Sequence, residues 1–355
     1  MIIGIPRERK AQEGRIALLP EGVQQLVSDG HRVVVEADAG DKIGIAAEAW
    51  QRAGAELVPR EQLWQEAELV VKVKEPQPEE WPLLRRGQIV FGYFHFAADA
   101  GLVTACREAG IAALAFETRH DAQGRLPLLR PMSEIAGRLS AQFAARCLEA
   151  PYGGPGLLMG SIGGCAAART VVIGGGVAGV QAARVAAGMG SEVVVFERDG
   201  NRLRELETLL PSGVAIRQSN PQALAEACRR AQVIIACALV PGAKAPHLID
   251  RQLISELAPG CVLVDIAIDQ GGCAATSRPT THAEPTFVVD EVIHCCVANM
   301  PGAVPRSASQ ALSNAVFEDV RRLAAQGLDA YLDTSPGHRA ALNMHLGEVL
   351  LPGLE

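Results

Sequence analysis

The glycine pattern that ends one predicted strand is the feature that most constrains the fold of this chain. The strand-like segment 170–174 reads TVVIG and is followed by a G-x-G-x-x-G spacing at the start of a helical stretch. In this context the first glycine permits a tight turn, the second lets a pyrophosphate approach the backbone, and the third lets helix and strand pack closely. The helix N-terminus adds free N–H donors and the positive end of its dipole. The pattern predicts a dinucleotide site, with a ligand-free glycine turn as the alternative; the residues concerned are Gly174, Gly176, Val177, Ala178 and Gly179.

The strand after the glycine pattern indicates which dinucleotide is bound. Segment 191–197 reads SEVVVFE and ends on Glu197, about 20 residues after the first glycine. A carboxylate there accepts hydrogen bonds from both hydroxyls of the adenosine ribose, and it would repel the 2′-phosphate of NADP. Arg198 and Arg202 are near in sequence and would soften that preference. The chain is therefore predicted to bind NAD rather than NADP.

Strand-like and helix-like segments alternate along most of the chain. Their continuous apolar runs are typical of strands buried on both faces, so we predict an α/β fold with doubly wound parallel sheets. Segments after Pro305 are helical to about residue 325, and we expect the C-terminal part to return to the first domain, which would leave a ligand cleft between two domains. The predicted strands are 1–5, 32–36, 69–73, 89–94, 111–116, 170–174, 191–197, 214–217, 231–237 and 261–268, and the predicted helices include 21–28, 46–53, 101–109 and a long one from an N-cap at Ser133 to about 148.

Composition excludes several classes of protein. A length of 355 residues suggests two domains, and 48% hydrophobic with 21% charged residues excludes extended disorder. A net charge of −7 gives no general attraction to nucleic acid or anionic membranes. No apolar run reaches about 18 residues, and the N-terminus is apolar before it is charged, so a cytoplasmic protein is expected. The nine cysteines form no C-x-x-C pair, which favours buried reduced thiols over disulfides or a zinc site.

Four polar residues follow predicted strands, where doubly wound sheets place their ligand groups. Arg15 suits a carboxylate, Lys74 a carboxylate or a carbonyl, and His95 proton transfer near neutral pH, while Asp269 adds a carboxylate. Together they would suit a small anionic carbonyl substrate. Each has a structural alternative: a surface ion pair for Arg15, a solvated strand edge for Lys74 and its neighbour Lys72, a hydrogen-bonded core histidine for His95, and a turn cap for Asp269.

Seven segments, in order along almost the whole chain, resemble the alanine dehydrogenase family. They are GIPRERKAQEGRIALLP, VVKVKEP, LPLLRPMSEIAGR, VPGAKAP, VDIAIDQGGC, SRPTTH and VANMPGAVPRSAS. The resemblance implies conversion of L-alanine, NAD⁺ and water to pyruvate, ammonium and NADH, and a homohexamer. It also implies two Rossmann-like domains with an interdomain cleft, a substrate domain of residues 1–127 plus 306–355 and an NAD-binding domain of residues 128–305.

The resemblance also implies roles for individual residues. Arg15 and Lys74 would hold the substrate carboxylate and oxo group, His95 would be the acid/base, and Asp269 would be the catalytic aspartate. Met132 would lie beside the nicotinamide and substrate and Ser133 beside the pyrophosphate, and Glu197 takes the ribose position, where the family usually has Asp. The remaining implied contacts with the cofactor are Arg202, Ser219, Leu239, Ile266, Arg278, Val297, Asn299 and Met300, of which Asn299 would also contact the substrate.

Three alternative functions stay open at this point. The loop SIGGCAAAR, Glu197 and the short C-terminal tail depart from the family pattern, which puts cofactor affinity and subunit contacts in doubt. One alternative is the nucleotide-binding subunit of a proton-translocating transhydrogenase, disfavoured by His95 and the AIDQGG segment. The others are a non-catalytic NAD-binding regulatory protein and a related NAD-dependent dehydrogenase of another amino acid or oxo acid.

Overall fold

The computed structural model describes residues 1–238, 245–351 and 353. The chain forms two compact units. The first unit consists of Met1–Met132 and Val304–Glu355, and the second unit of Ser133–Ala303. The assignment of a substrate role to one and a cofactor role to the other stays a prediction.

Fifteen strands are present in the described residues, and they make one sheet in each unit. Buried β-branched residues dominate the interior strands, as in β4, where all six residues are buried. The strands are β1 Ile2–Ile5, β2 Arg32–Glu36, β3 Glu56–Val58, β4 Leu69–Lys74, β5 Ile89–Tyr93, β6 Ala112–Ala115, β7 Arg169–Ile173, β8 Glu192–Glu197, β9 Ala215–Gln218, β10 Val233–Ala236, β11 Val262–Asp265, β12 Thr286–Val289, β13 Val292–Cys295, β14 Leu342–His345 and β15 Glu348–Val349.

Eleven α-helices connect or flank these strands in the same described part of the chain. Local sequence sets their ends: the Asp99 side chain accepts hydrogen bonds from two amides at the start of α4, and Gly110 ends that helix with φ +68°. The helices are α1 Pro20–Ser28, α2 Ala47–Arg52, α3 Arg60–Glu66, α4 Ala100–Ala109, α5 Arg130–Cys147, α6 Val177–Gly188, α7 Gly200–Leu209, α8 Pro221–Arg229, α9 Arg251–Ser255, α10 Pro305–Leu332 and α11 Pro336–Arg339.

The sheet of the first unit has eight strands in the order β15-β14-β6-β5-β4-β1-β2-β3. Strands β1 to β6 are mutually parallel, and β14 and β15 add an antiparallel edge. Strand order reverses between β1 and β4, and polar groups follow the carboxyl ends of these strands. This is the place where open α/β sheets bind ligands.

The sheet of the second unit has seven strands in the order β12-β13-β11-β10-β7-β8-β9. All neighbours are parallel except β12 and β13. The reversal of strand order falls between β7 and β10, so the glycine turn after β7 lies at the switch point. The predicted α/β fold with two sheets of mainly parallel strands is confirmed.

Several predicted boundaries are wrong for identifiable reasons. Helix α5 begins at Arg130 rather than after Ser133, because the Arg130 amide already donates to the Leu126 carbonyl. The strand predicted over 261–268 ends at Asp265, whose side chain caps a 3₁₀ helix over Ile266–Gln270. Helix α10 continues to Leu332, past non-helical Gly327.

Two further observations concern the whole described chain. No helix in residues 1–238 and 245–351 is long and apolar enough to cross a membrane. All nine cysteines carry free thiols, but they are not all buried as predicted: Cys165 is exposed and Cys237 is half-buried.

Gly137 lets α5 lie directly against the start of α6 within the second unit. A Cβ at position 137 would stand 2.1 Å from the Ala178 carbonyl oxygen, which belongs to the backbone and cannot rotate away. By contrast, a Cβ on Gly188, in α6, would meet no atom within 4 Å. The close approach at Gly137 fixes how these two helices frame the glycine turn.

We expect Gly137→Ala to lower the free energy of unfolding by about 1–3 kcal/mol, because the helices must separate to admit the methyl group. Gly188→Ala, the matched control, should be neutral or stabilise the protein by up to about 1 kcal/mol. Urea unfolding followed by circular dichroism measures both. Equal urea midpoints for the two variants would contradict the packing described.

Candidate active site

The glycine turn of the second unit has the geometry of a phosphate cradle. Gly174 has φ +97°, which a residue with a side chain rarely adopts, and a Cβ on Gly179 would lie 1.9 Å from the Gly174 carbonyl oxygen. A Cβ on Gly176 would meet nothing within 4 Å, so the backbone there is open. Gly176 directly precedes α6, where Val177 is exposed and Ala178 half-buried. The open backbone, tight turn and helix N-terminus fit a pyrophosphate group.

Glu197, the last residue of β8, is fixed beside this turn. Its Oε2 accepts the Gly175 amide at 2.7 Å, and its Oε1 accepts the amides of Arg198 and Asp199 at 2.6 and 2.9 Å. The carboxylate is therefore held at the carboxyl end of a strand next to the phosphate cradle. Its position and charge fit a ribose diol.

Arg202 and Ser219 lie in the same corner of the second unit. Arg202 donates from Nε to the Gly175 carbonyl at 2.7 Å and pairs with Glu205 at 2.5 Å. The Ser219 amide donates to the Glu197 carbonyl at 2.7 Å. The structure thus brings together the glycine turn, Glu197, Arg202 and Ser219, whereas Leu239 lies outside the described residues.

Asp265, which the sequence did not single out, organises the loop that carries Asp269. Its Oδ2 accepts the Cys273 amide at 2.7 Å and the Ser277 hydroxyl at 2.6 Å, and its Oδ1 accepts the Ala267 amide at 3.1 Å. Burial raises its pKa, while these hydrogen bonds favour the charged form. Asp269 is exposed on this 3₁₀ helix, whose N-cap is Asp265 rather than Asp269.

The other residues predicted around the cofactor all belong to the second unit. Asn299 has φ +55°, and its carbonyl oxygen is 3.2 Å from His282 Nε2. The Arg278 guanidinium lies 4.2 Å from the centre of the Phe287 ring. Val297 and Met300 are buried, and Ile266 is half-buried in the turn after β11. Their contact with a cofactor stays a prediction.

Arg15, in the first unit, is a buried residue and not a surface one. Its side chain is 2% exposed and its Nε and Nη2 donate to the two carboxylate oxygens of Glu13 at 2.8 and 2.5 Å. The Nη1 lies 3.0 Å from the sulfur of Met132, another predicted site residue. Burial by itself would lower the pKa of Arg15. The Glu13 carboxylate raises that pKa by more, so the guanidinium stays charged. The surface ion-pair alternative is wrong.

Lys74 ends β4, which lies inside the sheet, so the solvated-edge alternative is also wrong. Lys72 and Lys74 are both buried, and Lys72 pairs with Glu80 at 2.6 Å. The backbone amides of Val73 and Lys74 donate to Glu8 at 2.5 and 3.2 Å, at a register irregularity of the β4–β5 pair. Burial raises the pKa of Glu8 to about 7, opposed by the charge of Lys72.

His95 follows β5 and is not a core residue, since its side chain is 42% exposed. Desolvation by the surrounding protein, and then the charges of Lys74, Lys10 and Arg15, lower its pKa to about 3. These three cations all belong to the first unit, which brings His95, Lys74, Arg15 and Met132 into one region. Ser133 lies within α5 and begins the second unit.

Three glutamates that sequence reasoning missed support this region. Glu13 pairs with Arg15, Glu8 accepts the Lys74 amide, and Glu117 accepts the His95 amide. Of the three, only Glu117 had a signal in the sequence, because it directly follows an apolar strand. Glu8 and Glu13 lie in the polar segment PRERKAQEGR, where nothing distinguishes a buried carboxylate from a solvated one.

These two halves define a class of protein. The second unit has the turn and the carboxylate of a dinucleotide-binding domain, and the first unit gathers cations and an imidazole suited to a small organic anion and proton transfer. Such a pairing is typical of a nicotinamide-dependent oxidoreductase.

Comparison with known proteins identifies the family. The model of the alanine dehydrogenase/PNT N-terminal domain matches residues 4–136, and that of the C-terminal domain matches residues 140–352. The alanine dehydrogenase of Mycolicibacterium smegmatis is 47% identical over 99% of this chain and 95% of its own length. That of Bacillus subtilis is 44% identical over 98% and 92%. The chain belongs to the alanine dehydrogenase/PNT family, as its sequence segments predicted.

Solved structures support the same assignment. An L-alanine dehydrogenase aligns with a TM-score of 0.95 and 43% identity, covering 100% of this chain and 98% of its own. A transhydrogenase from Sinorhizobium meliloti aligns with a TM-score of 0.85 and 25% identity over 99% of this chain and 100% of its own. The family implies a nicotinamide dinucleotide, and the open backbone at Gly176 and the fixed Glu197 carboxylate fit that group.

The buried position of Glu8 predicts a pH-dependent stability. A pKa raised from 4.5 to about 7 means that the folded state binds the proton more tightly than the unfolded chain. This stabilising contribution is complete below about pH 4.5 and is lost as the pH rises through about 7. Glu8→Gln keeps an acceptor oxygen but has no proton to lose. Between about pH 4.5 and 8, the free energy of unfolding of the wild type should therefore fall by about 3 kcal/mol relative to that of Glu8→Gln.

Urea denaturation over that pH range measures this difference. Glu79→Gln is the matched control, because the Glu79 side chain is 55% exposed and should show no such trend. The same pH dependence in Glu8→Gln and in the wild type would mean that Glu8 is solvated in the folded protein.

Proposed function

We propose that this protein is an NAD-dependent alanine dehydrogenase. The reaction converts L-alanine, NAD⁺ and water to pyruvate, ammonium, NADH and a proton, and it is reversible. The observation that carries the proposal is that the first unit gathers Arg15, Lys74 and His95 into one region, with the charges of both cations acting on His95. The names of the similar proteins agree with it.

Arg15 and Lys74 bind and orient the substrate in this proposal. A carboxylate matches the guanidinium and the ammonium in charge, and Glu13 fixes the plane of the guanidinium before the substrate arrives. Lys74, whose amide is held by Glu8, binds the carboxylate or polarises the oxo group. Fixing the substrate in this way can contribute several kcal/mol to lowering the barrier.

His95 moves the protons that accompany the redox step. When bound, the nicotinamide ring supplies the redox chemistry, taking hydride from the alanine Cα or returning it. In the direction of alanine oxidation, neutral His95 accepts a proton from the water that adds to the substrate iminium carbon, which gives a carbinolamine that collapses to pyruvate and ammonia. The lowered pKa of His95 keeps the ring neutral before substrate binds. Asp269 is assigned to orienting the water or the amine.

The proposed function also includes the choice of cofactor, its contacts, the oligomeric state and the cellular location. Glu197 favours NAD over NADP, because its fixed carboxylate meets the ribose hydroxyls and repels a 2′-phosphate. Ser133, Ile266, Arg278, Val297 and Met300 are assigned to the cofactor, and Met132 and Asn299 to the substrate. We further propose a homohexamer in the cytoplasm, on the resemblance to the family.

A coupled assay tests the proposed reaction. Purified protein should oxidise NADH when both pyruvate and ammonium are present and should not do so when either is omitted. The loss of absorbance at 340 nm measures the rate over a pH range of about 7–10. Oxidation with glyoxylate or another oxo acid but not with pyruvate would replace the proposal with the related dehydrogenase. No oxidation with any of them would end it.

His95→Ala is the control that separates chemistry from cofactor binding. Loss of an acid/base group typically costs about 10²–10⁴-fold in rate, and NADH fluorescence titration should give an unchanged Kd. Wild-type turnover in this variant would assign His95 a structural role only.

Glu197→Ser tests the cofactor preference. Removing the carboxylate while Arg198 remains should raise the ratio of kcat/KM for NADPH to that for NADH by about tenfold or more, since about 1.4 kcal/mol of repulsion suffices for that change. The ratio is used because Glu197 also accepts three backbone amides and its loss can weaken both cofactors. Glu207→Ser, at an exposed position of α7, is the control. An unchanged ratio would show that Glu197 does not discriminate.

A further inference from the structure

Glu117 lies immediately beyond β6, next to the end of β5. The two strands are parallel, with Gly92 opposite Ala115, and the Phe116 amide continues the ladder by donating to the Gly92 carbonyl at 2.9 Å. This register places residue 117 beside the chain that leaves β5. There a single oxygen, Glu117 Oε1, accepts the amides of Phe94 at 3.0 Å and His95 at 2.7 Å.

The backbone that Glu117 holds is in an unfavourable conformation. His95 has φ +50° and ψ +42°, in the left-handed region that residues with a side chain seldom occupy. Such a residue keeps this conformation only where its surroundings hold it. One carboxylate oxygen that accepts two consecutive amides, together with the 2.9 Å bond from the Ala98 amide to the His95 carbonyl, does so here. The direction of the imidazole therefore depends on Glu117.

The same carboxylate is the negative charge that faces the imidazole. Glu117 Oε1 is 4.0 Å from His95 Nδ1, and the Tyr93 ring stacks on the imidazole with centres 6.0 Å apart. The other charged groups acting on His95 are cations: Lys74 from β4, and Lys10 and Arg15 from the segment after β1. Lys10 and Arg15 are paired with Glu75 and Glu13, whereas the carboxylate that lies beside the imidazole itself is Glu117.

Glu117 also has an acceptor that the backbone does not use. Its Oε2 is buried and has no hydrogen-bond partner among the residues that the structure describes. A buried carboxylate oxygen without a partner is costly unless a donor or a charge compensates it. Burial raises the pKa of this carboxyl, and the amides of His95 and Phe94 and the charge of Lys74 oppose that change.

We propose that Glu117 is a positioning residue for His95, holding its backbone in the left-handed conformation and stabilising the imidazolium that forms when His95 accepts a proton. The proton remains on His95 and returns from there, so Glu117 exchanges none. The inference that Glu117 stabilises the imidazolium rests on the proposed function, which makes His95 the acid/base. The inference that Glu117 holds the His95 backbone does not.

Two substitutions separate the two roles. Glu117→Gln keeps an acceptor oxygen for both amides and removes the charge, whereas Glu117→Ala removes both. Glu108→Gln is the control, because it removes one charge from an exposed position of α4 in the same unit. Each is assayed for pyruvate amination against pH, with NADH binding measured in parallel.

Removing the negative charge destabilises the imidazolium, so the limb of the pH profile that reports His95 should move to lower pH in Glu117→Gln. We expect a shift of about one unit or more and a fall of about tenfold or more in kcat/KM for pyruvate on the alkaline side, with the Kd for NADH unchanged within about twofold. Glu117→Ala should lose about 100-fold or more, and Glu108→Gln should stay within about twofold. A wild-type pH profile in Glu117→Gln would overturn the proposal.

A crystal structure of Glu117→Ala tests the backbone role without any turnover. We expect His95 to leave the left-handed region and its imidazole to move by about 1 Å or more, and Glu117→Gln to keep both in place. An unmoved His95 in Glu117→Ala would overturn the proposal. If the wild type did not turn over pyruvate, the proposed function would fail, and this structural comparison would still decide the role of Glu117.

Discussion

Pairing between buried carboxylates and neighbouring cations or backbone amides organises the region of Arg15, Lys74 and His95 in the first unit. Removing a charge from water costs several kcal/mol, and that cost is offset only when a partner and hydrogen bonds are in place. Arg15 meets this condition through Glu13, whose two oxygens bind one side of the guanidinium. The arrangement leaves a guanidinium that is fixed, desolvated and still charged.

Backbone hydrogen bonds extend the same principle to the other two groups. Glu8 accepts the backbone amide of Lys74, and Glu117 accepts that of His95. In both cases the carboxylate fixes the backbone of the segment and, through it, the place from which the side chain extends. These segments leave the carboxyl ends of neighbouring strands, β4 and β5, which are rigid parts of the sheet. A site built this way is organised before substrate binds, and that reduces the entropy lost on binding.

The second unit adds close backbone approach at its glycines. Gly179 and Gly137 let helices and turn approach to distances that no side chain would allow, and Gly176 leaves the backbone open beside the first turn of α6. Glu197 contributes a fixed carboxylate to this corner, held by three amide donors. The predicted nucleotide and substrate regions of the two units are thus organised by different physical means.

Sequence reasoning predicted what local patterns determine. The G-x-G-x-x-G turn, the buried strands and Arg15, Lys74 and His95 at strand ends were all readable, because strand ends and glycine spacing are local features. The start of α5 at Arg130 and the end of β11 at Asp265 were missed, since each depends on a hydrogen bond formed only in the folded chain. The glutamates at 8, 13 and 117 were missed for a related reason: a carboxylate reveals burial only through partners distant in sequence, as Glu8 does with Val73.

A crystal structure with pyruvate and NAD⁺, between which no hydride can be transferred, would show where the substrate binds. We expect the pyruvate carboxylate on Arg15 and Lys74, with the oxo oxygen within about 3 Å of a ring nitrogen of His95 or of Lys74 Nζ. We further expect Glu13, Glu8 and Glu117 to keep the hydrogen bonds they have without ligand. Pyruvate bound away from Arg15 and His95, or a rearrangement of those three carboxylates on binding, would contradict this expectation.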